Sequence, residues 1–110
     1  MTDVTTAPFA APFPPAGAAG HAALLTADNA RHLRAGVVTL APGEGCGAHS
    51  TEGYEELLLI LAGEGEVRLE GFGALRAAAG ACYIPPGTTH EVVNTGREPL
   101  RYVYVVAPAA

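Results

Sequence analysis

The sequence is short of several things. It has no tryptophan, only six basic residues, two cysteines, and 15% charged residues in total. A net charge of −5 leaves no basic surface to neutralise phosphates, so nucleic acid and anionic membrane surfaces are excluded as partners. No apolar run approaches the roughly 20 residues that cross a bilayer as a helix. The N-terminus carries Asp3 and no basic residue, and Pro8, Pro12, Pro14 and Pro15 interrupt its apolar content. A secretory signal needs the opposite of both. The expected location is therefore cytoplasmic, with Cys46 and Cys82 as free thiols. What is abundant is apolar: 49% of 110 residues, with 14 Gly and 9 Pro to make turns. That is enough for one domain with a modest core, and apolar enough to expect a partner subunit over part of the surface.

Residues 1–20 are Ala, Pro, Gly, Thr and two Phe, and read as a flexible N-terminal arm, because a helix cannot run through these prolines. Residues 21–110 read as a single domain. His21–Leu25 suits a short strand or turn, Thr26–Ala30 a turn, and Ala35–Leu40 a strand. Glu55–Leu61 is apolar at nearly every position after its glutamates, the pattern of a strand covered on both faces. Glu66–Glu70 alternates polar and apolar, and the two are expected to form a hairpin around Ala62–Gly65. Short strands follow at 74–79, 81–84, 91–93 and 100–106. No long helical period occurs, so the fold class is all-β, a sandwich or barrel.

Few titratable groups sit in apolar surroundings. His49 lies in a Gly-rich loop, Glu56 heads the most apolar strand, and His90 follows a Pro-Pro-Gly turn. Strand alternation sends one of Glu55 and Glu56 inward, and an inward carboxylate needs a partner. Two imidazoles and a carboxylate form a set that transition metals favour. Elsewhere the ordinary reading wins. Cys82 is core, Cys46 a small loop residue, His21 and His32 surface residues, and Tyr102 and Tyr104 packing residues on one strand face. Arg31, Arg34 and Arg101 are too scattered for a phosphate site. Gly43, Gly45 and Gly47 precede a strand, not the helix that a phosphate loop needs.

Two motifs carry a resemblance. Gly43, His49, Glu56 and Gly63 have the spacing of the first motif of the cupin superfamily, with Thr51 where that motif has its second histidine. Pro85, Gly87, His90 and Asn94 have the spacing of the second motif, with Gly80 one residue too close to Pro85. The resemblance covers about residues 35–106 and implies a double-stranded β-helix, the jelly-roll or cupin barrel. It implies one divalent transition metal (Fe, Mn, Ni or Zn) held by His49, Glu56 and His90. Thr51, Tyr54 and Leu58 would line the substrate side; Glu52, from the same loop, is a candidate substitute ligand whose ordinary reading is a solvated side chain. The implied function is binding of a small organic molecule at that metal, with dioxygenase-like or isomerase-like turnover. The alternative is a metal-free, non-catalytic binding or sensing module, in which the three residues form a polar cluster. Small cupins also imply a homodimer, here through the outer face of Leu57, Leu59 and Leu61 and the N-terminal arm.

Overall fold

The computed structural model describes residues 7–109, and among these every regular element is a β-strand. In chain order they are β1 (Gly20–Leu25), β2 (Arg34–Leu40), β3 (His49–Ser50), β4 (Tyr54–Ala62), β5 (Gly65–Leu69), β6 (Gly73–Ala77), β7 (Gly80–Ile84), β8 (Thr89–Val93) and β9 (Leu100–Pro108). They form two antiparallel sheets, one ordered β1-β2-β9-β4-β7 and the other β3-β8-β5-β6. Two consecutive pairs, β1–β2 and β5–β6, are hydrogen-bonded neighbours. Every other connection passes from one sheet to the other. This is the double-stranded β-helix.

The expected hairpin between β4 and β5 does not form. β4 pairs with β7 and β9, whereas β5 pairs with β6 and β8. Alternation explains the outcome. Leu58 and Ile60 on β4, and Val67 and Leu69 on β5, belong to one buried cluster with Leu40, Ile84, Val92 and Leu100. Burial of each such side chain stabilises by roughly 1.5–3 kcal/mol, which strands meeting face to face across a core collect. The crossing at Gly63 is tight and left-handed (φ 78°), and a Cβ there would lie 2.3 Å from the Pro99 carbonyl.

Among the described residues, β4 is covered on its inner face only. Its outer leucines remain 37% (Leu57), 39% (Leu59) and 45% (Leu61) exposed, against the expectation of cover on both sides. Residues 7–19 carry no strand. Phe13 and Pro14 share a groove with Thr39, Leu61 and Arg101. The Arg101 guanidinium sits 5.9 Å from the Phe13 ring centre and donates through Nη2 to the Pro14 carbonyl at 2.6 Å. Phe9 is exposed. Residues 1–6 of the predicted arm lie outside the described residues.

Asn94 closes the end of β8. It is fully buried, and its Nδ2 donates to the carbonyls of Leu40 and Glu98 while its Oδ1 accepts from the Gly96 N–H. The asparagine of the second motif is thus a structural tie between β2 and the 94–98 turn.

Candidate metal centre and its pocket

The three residues singled out from the sequence come from two sheets. β3 is only two residues long, but it pairs with β8 so that His49 and His90 stand directly opposite one another. Their ring centres are 4.4 Å apart. Glu56 reaches them from the facing sheet. On β4 it shares the inward parity of Leu58 and Ile60, and its side chain is buried. Glu55 takes the outer face and accepts a hydrogen bond from the Tyr83 hydroxyl at 2.8 Å.

Thr51 sets the registry of the loops. Its buried hydroxyl donates to the Pro85 carbonyl (3.0 Å) and accepts from the Thr88 N–H (3.1 Å). A hydroxyl with both partners engaged has little left for an ion. It clamps the approach to β4 onto the approach to β8, two residues from His49 and two from His90. Glu52 is exposed, with a left-handed φ of 50°, and stands outside the converging group.

The donor atoms of His49, Glu56 and His90 all lie within 4.8 Å of one another. Each imidazole is oriented by its Nδ1. His49 donates from it to the Gly47 carbonyl at 3.0 Å, and His90 to the Thr88 carbonyl at 3.1 Å. A carbonyl can only accept, so Nδ1 carries the proton and Nε2 is the atom presented to the site. Pinning the ring through its other nitrogen is how metal-binding histidines are commonly held. Metal–ligand bonds of about 2.0–2.2 Å place neighbouring donors about 3 Å apart. The His90 Nε2–Glu56 Oε1 distance of 3.1 Å already meets that spacing. The residues therefore fit a divalent ion.

Without an ion, the same contact is an ion pair. Burial pulls the His90 pKa down, but the hydrogen bond to Glu56, the Thr88 carbonyl and the Glu56 charge together outweigh it and leave the pKa raised. A raised folded-state value means the pair stabilises fully below the free imidazole's pKa of about 6.5. That contribution is lost as pH rises through the raised value. In chelator-stripped protein, thermal stability from this pair is expected to fall from pH 6 to pH 8, and the His90→Gln variant should not show that component. An identical slope in the variant would assign the effect to other groups.

The group opens on a cavity of about 670 Å³ between the sheets. Thr51, Tyr54 and Leu58 line it, as do four residues that sequence reading assigned elsewhere: His21, Cys46, Tyr102 and Tyr104. The Cys46 thiol donates to the Gly47 carbonyl and accepts from the Val92 N–H. Burial, then Cys46 and Glu56 nearby, push the Tyr102 phenol far up; burial and the Glu56 charge push Tyr104 up. Both phenols remain protonated across the physiological range. The parity of 102 and 104 was legible in the sequence. The placement of His21 was not, because it depends on β1 pairing with β2 so that His21 faces Val38. Cys82 is buried in the core, and burial raises its thiol pKa.

A description of the cupin domain matches residues 36–106. The chain therefore belongs to the cupin family, in agreement with its two sheets and their crossings. A relative from Thermotoga maritima, named as an oxalate-binding protein, is 34% identical over 67 residues. That stretch spans 61% of this chain and 55% of the relative. Among solved structures, a Bacillus halodurans protein is 28% identical with a TM-score of 0.73, over 84% of this chain and 72% of that one. A Thermotoga maritima structure described as "a predicted oxalate decarboxylase" is 31% identical with a TM-score of 0.66, over 80% of this chain and 78% of that one. The cupin domain of Schizosaccharomyces pombe Cnp3 is 25% identical with a TM-score of 0.71, over 80% of this chain and 63% of its own. Among the described residues no helix is long and apolar enough to cross a membrane.

Proposed function

We propose that this cupin binds a small organic molecule at one divalent transition ion held by His49, Glu56 and His90. The observation that carries the reading is the donor set: two imidazoles fixed through Nδ1 and one inward carboxylate, converging at the wall of a mostly apolar cavity. A bound ion would supply Lewis acidity, with positions left open by a three-ligand set for a ligand oxygen or dioxygen. The chain's own contribution is to orient the imidazoles, hold Glu56 buried and surround it with Leu58, Val92 and Tyr102. Any turnover would be of the dioxygenase or isomerase kind. The names of two relatives point to small carboxylic acids as ligands.

The His90–Glu56 contact favours a second reading. Each residue satisfies the other's polar group directly, which is what a metal-free binding or sensing module would need. Elemental analysis of protein purified without chelator separates the two. Near-stoichiometric iron, manganese, nickel or zinc is expected. Metal far below stoichiometry, even after incubation with Fe(II) and Zn(II), would favour the second reading.

We also propose a homodimer built on the outer face of β4 and β7. Leu57, Leu59, Leu61 and Tyr83 are exposed there as a contiguous apolar patch. Light scattering after size exclusion should give twice the chain mass of 11.2 kDa, and Leu59→Arg should halve it. A wild-type monomer at micromolar concentration would overturn the proposal.

A further inference from the structure

The cavity has a second polar group that the metal reading does not use. Tyr104 on β9 stands opposite Gly36 on β2, and its ring crosses Gly36 to reach His21 on β1. The Tyr104 hydroxyl and His21 Nε2 are 2.6 Å apart. A Cβ on Gly36 would lie 2.6 Å from that hydroxyl and 2.8 Å from that nitrogen. Gly36 is a buried residue within a strand, where glycine is less favourable than alanine. Its bare α-carbon is what leaves room for the pair. His21, Tyr104, Glu56 and His90 all line the one cavity, and the wall they share is apolar, with Val38, Leu40, Leu58 and Val106.

We propose that the cavity takes a carboxylic acid with an apolar body and a hydroxyl or carbonyl at its far end, and that the Tyr104–His21 pair holds this far oxygen. The proposal rests on the reading above, with the ligand's carboxylate taken as the group that meets the ion held by His49, Glu56 and His90. The pair suits either kind of oxygen. If His21 Nε2–H donates to the phenol oxygen, the phenol proton is free for a ligand carbonyl. If the phenol donates to His21, its oxygen accepts from a ligand hydroxyl.

The test is calorimetric titration of zinc-loaded protein with two matched pairs of different length: benzoate and 4-hydroxybenzoate, then phenylacetate and 4-hydroxyphenylacetate. In at least one pair the hydroxyl should tighten binding about five- to tenfold, the worth of one net hydrogen bond. Tyr104→Phe keeps the ring over Gly36 and should erase that advantage, as should His21→Ala in part. Oxalate affinity should be the same in wild type and Tyr104→Phe. The proposal is overturned if no aromatic acid binds, if the hydroxyl confers no advantage in either pair, or if the advantage survives Tyr104→Phe. The metal reading fails separately. In that event binding is unchanged by chelation and by His90→Ala, while the hydroxyl advantage still depends on Tyr104.

Discussion

His90→Ala is expected to reduce metal content from about one ion per chain to background, measured by elemental analysis after dialysis against trace Zn(II). Thr51 already occupies the position of one family histidine, and its hydroxyl is engaged by Pro85 and Thr88. Loss of His90 would leave two protein ligands, too few for a stable mononuclear site. The substitution should also weaken the metal-free protein. Glu56 is buried and has the His90 Nε2 at 3.1 Å, so its carboxylate would stay in the core without that partner. Removal of one member of a buried ion pair costs about 3–5 kcal/mol. His90→Gln, which can still donate to Glu56, should recover part of the stability and none of the metal. Full occupancy in His90→Ala would place the ion elsewhere and remove the basis of the proposed centre.

Gly63→Ala should prevent folding or leave a barely stable product. The residue has φ of 78°, where an L side chain costs about 1–2 kcal/mol by itself. The added Cβ would also meet the Pro99 carbonyl oxygen at 2.3 Å and the Leu100 Cα at 2.9 Å. Those are backbone atoms at the entrance to β9, the central strand of its sheet, and they cannot rotate aside. Together these terms reach about 4 kcal/mol or more, a large share of what a domain of this size has. Gly87→Ala is the matched control. Its φ of 69° is also left-handed, but nothing lies within 4 Å of the added Cβ. The control should lose only the conformational term, a fall in Tm of about 4–15 °C. A Gly63→Ala protein that melts as high as Gly87→Ala would show that the crossing has slack.

Much of the architecture was readable from local pattern. Turn residues at 42–43, 63–65, 71–73 and 85–87 bounded the strands, and β-branched or alternating runs identified β2, β5 and β9. Chemistry limited the site to a few candidates, since His49, Glu56 and His90 were the titratable groups set among apolar residues. What failed was pairing. β4 and β5 are adjacent in sequence with a turn between them, and local pattern cannot distinguish a hairpin from a crossing between sheets. β3 was missed because two residues carry no periodicity; its existence comes from pairing with β8.

The sequence by itself determined the all-β class with its cupin motifs, and it singled out His49, Glu56 and His90 as candidate metal ligands. Those properties belong to residue types, spacing and charge. Only the tertiary structure decided that the Thr51 hydroxyl is a clamp between loops, that His21 joins Tyr104 over Gly36, and that the outer face of β4 lies open. Each of these depends on contacts between residues 37 to 83 positions apart or on which sheet a strand joins, and such contacts are set by the packing of the whole core.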